Sequence, residues 1–354
     1  MFPIDRLELI AQLRGALEGV MTVEGYHFDE DGTIKLRGRL KVAPDAAYAP
    51  IRDGMRKIGF TPYLRDAKDG HEVTAVPGVI PKAKDNPQLA AALFAATVIS
   101  VVFTGSLLNG EFNLLDGLMF AGTLLSILVA HEMGHYVVAK RLGAQVSLPY
   151  FIPLPAPIGL GTMGAVILQR EPFENRRSLL QIAAAGPIAG FIVALPLFIL
   201  GVALSAAARA VTEPLEGALG DSLMTYVIGT FRYGTAWTSP TELIQVHPIG
   251  FGAWLGLLIT GINLMPAGQL DGGHIMYALL GEQAKYVTWT VIAALIILSF
   301  VSQAWILWVG LLFFFGRTHP PPLNEAVKLK AIHYLLIVIA ALVFVITFVP
   351  KPLA

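Results

Sequence analysis

Cysteine is absent from all 354 residues, which excludes disulfides and thiolate ligands and leaves any metal chemistry to histidine and carboxylates. Charge is scarce as well: only 14% of residues are charged, against 55% hydrophobic, where an average soluble domain is about a quarter charged. Lys plus Arg equals Asp plus Glu, 25 each; with no basic excess, the chain carries no signature of a nucleic-acid partner. The opening MFPIDRLELIAQL is polar and acidic rather than basic and then apolar, so no cleavable signal is expected.

Long runs almost without charge fill this gap. Leu89–Leu108, Gly117–Ala139, Leu179–Ala208, Ile249–Met265, Val287–Phe315 and Ile332–Val349 each approach or exceed the ~18 apolar residues of a spanning helix. The expected class is a polytopic α-helical membrane protein with six or seven transmembrane helices. The seventh arises if the overlong 287–315 run breaks near Ser302–Gln303. Residues 89–350 would form this membrane domain, with residues 81–88 as a proline-containing linker before it.

Residues 1–80 hold about half of the charges and no spanning run, which suits a small soluble α+β domain. Ile34, Leu36, Leu40 and Val42 alternate with Lys35, Arg37, Arg39 and Lys41, the period of a half-buried strand, and DEDG before them suits a hairpin turn. Tyr48, Ile51, Met55 and Ile58 repeat at helical spacing, with Pro50 expected in the first turn or before the helix start. Further strands are expected at Thr61–Asp66 and Glu72–Val76. The basic stripe of the first strand is either a solvated sheet face or a contact for anionic lipid.

Lys82 and Lys84 before the first span, and Lys140, Arg141, Arg170, Arg176 and Arg177 after the second, contrast with the 109–116 loop, which carries only Glu111 and Asp116. Arg317, Lys328 and Lys330 before the last span agree with this pattern. By the positive-inside rule the N-terminus is cytosolic, and a bacterial inner membrane is the expected location.

Within the second span lies VAHEMGHYVVAK. His131 and His135 are four apart, so a helix puts both imidazoles on one face, where they can hold one Zn²⁺ with Glu132 beside them to handle protons. Counting back from Lys140 at about 1.5 Å per residue, His135 lies ~8 Å and His131 ~14 Å inside a core of ~30 Å. Catalytic zinc generally takes three protein ligands and keeps one open position. Asp271, an acid embedded in the apolar stretch GINLMPAGQLDGGHIMYALL, and His274 three residues on both compete for the third place; Asp271 could instead merely cap a helix. Pro266, Gly268, Gly272 and Gly273 should break that span, as is tolerated where backbone lines a wet cavity. Residues 147–170, apolar but rich in proline and glycine, read either as a packed surface loop or as a membrane-embedded strand, GAVILQ, with an edge open to a peptide.

The two motifs together closely resemble the site-2 protease family of intramembrane zinc metalloproteases. H-E-x-x-H matches His131–His135, and N-x-x-P-x-x-x-L-D-G matches Asn263, Pro266, Leu270, Asp271 and Gly272. AAAGPIAGF, with Gly186, Pro187 and Gly190, is similar to the glycine-proline segment between these motifs. The resemblance covers residues 85–350 and leaves residues 1–80 outside, where neither a PDZ nor a CBS pattern is visible. It implies that His131, His135 and Asp271 bind one Zn²⁺ per chain and that Glu132 is the catalytic acid/base. It also implies that the 147–170 segment, with Gly164, Ala165 and Val166, is a membrane-embedded β element serving the substrate strand. Asn263 would help hold the substrate backbone, or would stitch two helices together.

The expected function is hydrolysis of peptide bonds within or near transmembrane segments of single-pass, membrane-tethered proteins, in regulated intramembrane proteolysis. A membrane-anchored quality-control zinc protease is one alternative; a non-hydrolytic zinc transporter or sensor is the other.

Overall fold

Helix α1 (Arg6–Leu17) and strand β1 (Met21–Phe28) precede the alternating stretch, which forms β2 (Ile34–Leu40). Helix α2 (Pro44–Ile58) and strands β3 (Phe60–Ala67) and β4 (Gly70–Pro77) follow. The strands make one antiparallel sheet in the order β1-β2-β4-β3. The computed structural model describes residues 6–80, 85–157, 159–206, 209–210, 219–234, 242–243, 245–316 and 319–352. Lys82 and Lys84 of the expected linker, and Arg317, lie outside the described residues.

Apolar side chains at the spacings read from the sequence make the core of this unit. Leu13 and Leu17 of α1 and Tyr48, Ile51 and Met55 of α2 are buried with Ile34, Leu36, Leu64 and Val73 of the sheet. Pro50 departs from expectation. α2 begins at Pro44, so Pro50 falls beyond the first turn; both Pro50 and Ala46, whose carbonyl loses its helical partner, are on the exposed face, where water can replace it. On the sheet, Arg37 pairs with its cross-strand neighbour Glu72 (2.7 Å), Lys35 with Asp29 (2.6 Å) and Arg39 with Glu24 (3.5 Å), while Lys41 Nζ donates to the Glu18 carbonyl. Three of the four cations of the basic stripe are therefore paired with acids of the same unit.

Two later stretches belong to the same compact unit, which comprises residues 1–83, 170–179 and 320–330. The Leu64 N–H donates to Leu323 O (2.7 Å) and the Glu325 N–H to Leu64 O (2.9 Å), so residues 323–325 add to the edge of β3 as a parallel bridge. Residues 173–175 add in turn: the Leu323 N–H donates to Phe173 O (2.9 Å) and the Asn324 N–H to Glu174 O (2.7 Å). Leu323 and Ala326 enter the hydrophobic core. Asn324 is fully buried and its Nδ2 donates to Pro44 O (2.9 Å).

The second unit, residues 84–169, 180–319 and 331–354, is mostly helical. Three helices are long and apolar enough to cross a membrane: α3 (Pro87–Ser106), α4 (Leu114–Arg141) and α5 (Arg176–Leu204), whose first turn lies in the other unit. After α6 (Leu223–Tyr233) come α7 (Pro248–Asn263), α8 (Asp271–Leu280), α9 (Ala284–Ser299), α10 (Ala304–Phe315) and α11 (Ala331–Thr347). The 287–315 run does break, between Ser299 and Ala304, but its halves are too short to count as spans by length. Among the described residues the expected six or seven crossings thus reduce to three on that criterion, with shorter apolar helices in addition.

Between α4 and α5, β5 (Tyr150–Leu154) and β6 (Gly161–Val166) form an antiparallel hairpin. The strand thus lies three residues earlier than the expected GAVILQ. Gly164 accounts for the shift: with φ at +94° it sits in a local irregularity of the ladder, and its N–H turns to Thr162 Oγ1 (3.0 Å). The hairpin is tied to α3, where Ser100 Oγ donates to Gly161 O (2.6 Å) and the Ala156 N–H to Thr104 Oγ1 (3.0 Å).

Tyr48 is 1% exposed and donates its hydroxyl to Pro62 O (3.0 Å). Tyr48→Phe keeps the volume but leaves that carbonyl unsatisfied, so a loss of about 1–2 kcal/mol is expected. Hydrogen exchange at the Leu36 and Val73 amides under urea would read it.

Candidate metal centre

α4 places His131 and His135 one turn apart on a face turned into the bundle; His131 is 2% exposed. The span carrying Asp271 is broken as its composition requires. α7 stops at Asn263, residues 264–270 run irregularly, and Gly268 takes a left-handed conformation (φ +61°) before α8 restarts at Asp271. The helix cap is Leu270 rather than Asp271, which leaves the carboxylate free to turn elsewhere.

It turns to the histidines. Asp271 Oδ2 is 3.3 Å from both His131 Nε2 and His135 Nε2, and the two Nε2 atoms are 3.2 Å apart. Ligands in a tetrahedron around zinc at ~2.0–2.1 Å are separated by ~3.3–3.4 Å. The three atoms therefore mark one face of such a tetrahedron, and the cluster could hold a metal ion. The donor set, two nitrogens and one oxygen, suits zinc.

His135 Nδ1 lies 2.7 Å from Ile182 O on α5. A carbonyl only accepts, so Nδ1 carries a proton and Nε2 is the nitrogen turned toward Asp271, the arrangement that orients an imidazole toward a metal. Gly186, one turn along α5, lies flat against the same ring; a Cβ there would overlap the imidazole. Gly134 allows the close approach of the Ala185 carbonyl of α5 to α4. Asn263 Nδ2 lies 3.4 Å from His131 Nε2, at the edge of the cluster. Glu132, next to His131, is half-buried.

Of the two rivals for the third position, only Asp271 belongs to the described cluster that could hold a metal ion. His274 Nδ1 meets His319 Nε2 at 2.6 Å, and Tyr277 stacks on His319. His247, at the start of α7, caps its helix by accepting from the Ile249 N–H. Gly164, Ala165 and Val166 lie in the hairpin, where Ala165 and Val166 pair with Phe151 and Tyr150. Sequence reasoning missed the Ile182 carbonyl and His319, neither of which stands out from its neighbours in the sequence.

Residues 119–302, a stretch that includes the whole cluster, match the model of Peptidase family M50. The chain belongs to the M50 family. Similar proteins include "Probable zinc metalloprotease EGY2, chloroplastic" of Arabidopsis thaliana, 30% identical over 347 residues, and its namesake in Oryza sativa subsp. indica, 30% identical over 337. These alignments cover 90% and 89% of this chain but 60% of each relative, so the chain spans 60% of their length. "Probable zinc metalloprotease EGY1, chloroplastic" of Arabidopsis thaliana is 28% identical over 234 residues, 64% of this chain and 42% of that protein. The tenth of the chain that the first match leaves out is shorter than 80 residues, so the similarity reaches into the N-terminal region that the sequence motifs did not cover. M50 membership and the three long apolar helices mark a membrane protein. The relatives are named as chloroplastic, and the expected bacterial inner membrane and cytosolic N-terminus gain no support from them.

Asp271→Ala should lower bound zinc in the purified chain well below one per molecule, whereas His274→Ala should leave it near one, as metal analysis would show. Gly186→Ala should displace the His135 ring and weaken zinc binding by about tenfold or more, the usual range for a disturbed supporting contact; competition with a chromogenic chelator measures it.

Proposed function

We propose that this M50 chain is an intramembrane zinc metalloendopeptidase that hydrolyses peptide bonds within or near transmembrane segments of single-pass, membrane-tethered proteins. The observation that carries the reading is the His131–His135–Asp271 triangle at tetrahedral spacing, two of whose corners lie on a helix long enough to cross a bilayer. On this reading His131, His135 and Asp271 hold one Zn²⁺. The ion would supply Lewis acidity to a water and a carbonyl within its reach.

The chain's own residues do the rest. Glu132 takes the proton that the water sheds and returns it to the leaving amine, the two halves of general base and acid work. Asn263, beside His131, offers an amide to the substrate backbone. A helical substrate hides its carbonyls in its own hydrogen bonds, so it must unwind before attack. β6 pairs with β5 on one edge, and no further ladder is recorded on its other edge among the described residues. An extended substrate adding to that edge would have its backbone groups satisfied during unwinding. Ala165 and Val166 would carry this pairing, and Gly164, with its N–H already used, would mark its end.

Shorter helices α7, α9 with α10, and α11 would complete six crossings, and the N-terminal end would lie on the side bearing Lys140 and Arg141. Regulated release of a membrane-tethered protein is the process this chemistry serves. A quality-control zinc protease would use the same centre on substrates outside the bilayer core, and a zinc carrier or sensor would not need Glu132.

Coexpression of Glu132→Gln with a tagged single-pass substrate tests the assignment. Cleavage should fall by at least about a hundredfold, the usual worth of acid-base catalysis, with zinc content unchanged. Undiminished cleavage would refute the protease reading, and a substrate cut only in its soluble portion would favour the quality-control reading.

A further inference from the structure

The chain between α7 and α8, which delivers Asp271, is folded on itself. The Ala267 N–H donates to Met265 O (2.7 Å) and the Leu270 N–H to Ala267 O (3.3 Å). The first turn of α8 rests on the same stretch of backbone: a Cβ on Gly272 would overlap Leu264 O, and one on Gly273 would overlap Gly268 O. Residues 264–273 are therefore one packed piece. A displacement of Gly268 reaches Asp271, three residues on, through the chain and through this backbone contact.

The piece is held by α9 and α10. Thr288 of α9 is 6% exposed; its Oγ1 accepts the Gly268 N–H (3.1 Å) and donates to Ala284 O (3.3 Å), one turn back in its own helix. A hydroxyl has a single proton, so with that proton on Ala284 O its lone pairs are left to face the amide. Met265 and Ala267 are buried in one apolar cluster with Ile292 and Leu295 of α9 and Trp305 and Leu312 of α10. In an unbroken helix Leu312 would lie about 30 Å from Ile292, so the break between α9 and α10 is what lets both border this cluster. On the remaining side, a Cβ on Gly268 would come within 2.8 Å of Gly316 Cα. In apolar surroundings a freed amide must turn to another acceptor or stay unsatisfied at a cost, and either outcome disturbs the fold of residues 264–273.

We propose that Thr288 is the positioning residue of the third ligand: by holding the Gly268 amide, its hydroxyl fixes the packed piece and with it the direction of the Asp271 carboxylate toward His131 and His135. The inference rests on the reading of Asp271 as a zinc ligand and extends it to a residue outside both sequence motifs.

The test uses the whole chain in detergent. Zinc affinity is read by chelator competition, and the geometry of the loaded centre from the visible spectrum of the Co²⁺ form at saturating cobalt. Thr288→Val keeps the shape and removes the acceptor; zinc affinity should fall by about tenfold, as for other supporting contacts, and the cobalt band should change in position or intensity. Thr288→Ala removes the same acceptor with less crowding and carries the same expectation, so whichever of the two accumulates as folded protein serves. Thr288→Ser keeps the hydroxyl and should match wild type in both readings. Thr290→Val removes an exposed hydroxyl of the same helix, one that bonds Tyr286 O (3.0 Å), and should change neither. Wild-type affinity in the Thr288→Val or Thr288→Ala chain overturns the proposal, and so does lowered affinity with an unchanged cobalt spectrum, because a redirected carboxylate must alter the ligand field. A matching loss in Thr288→Ser or Thr290→Val also overturns it, by marking damage to α9 rather than loss of the acceptor. A wild-type chain that binds neither metal overturns the zinc reading along with it, whereas a zinc-binding wild type with insensitive Thr288 variants overturns this inference alone.

Discussion

Holding two imidazoles and a carboxylate about 3.3 Å apart inside an apolar bundle obliges the fold to supply partners, because each buried polar group left unsatisfied costs about 1–3 kcal/mol. α4 alone cannot meet that demand; it brings the rings together and nothing more. The acid arrives from more than a hundred residues downstream, on a span that must break to present it, and the carbonyl that sets the His135 tautomer arrives from α5. The glycines of α5 and α4 are small because these backbones have to come within contact distance of one another and of the ring. The centre thus dictates where helices are broken, where they touch and which residues between them have no side chain.

What could be read from the sequence was whatever repeats locally. His131 and His135 announce themselves through helical spacing, and β2, α2, β3 and β4 through the periods of their apolar residues. β1 escaped because its pairing with β2 slips between Val23 and Gly25, which disturbs the alternation a strand would show. α1 escaped because Ile10, Leu13 and Leu17 are too few to stand out among neighbouring leucines. Asp271 was visible as an acid in apolar surroundings, and the family resemblance preferred it to His274; the residues themselves left that choice open, because the contact of His274 with His319 is a tertiary fact. The Ile182 carbonyl was invisible in principle, since every residue has one.

The same distinction explains the enlarged N-terminal unit. Residues 170–179 and 320–330 look like charged loops between spans, and their cations read naturally as topology signals. In the folded chain Arg176 and Arg177 are in ion pairs with Glu325 and Asp45. A membrane-topology rule and an ion-pair network can use the same residues, because one concerns which side a loop lies on and the other what it meets there. Backbone pairing such as that of Leu64 with residues 323–325 is independent of side-chain type and leaves no pattern to detect.

The donor set has one more consequence. Imidazole nitrogens and a carboxylate oxygen have no sulfur to oxidise, and the chain contains no cysteine anywhere. Peroxide and disulfide exchange, which strip metal from thiolate centres by consuming their ligands, find nothing to attack here. The centre is chemically deaf to the redox state of its surroundings, so a cell that wished to silence it by oxidation would have to act on something other than its ligands.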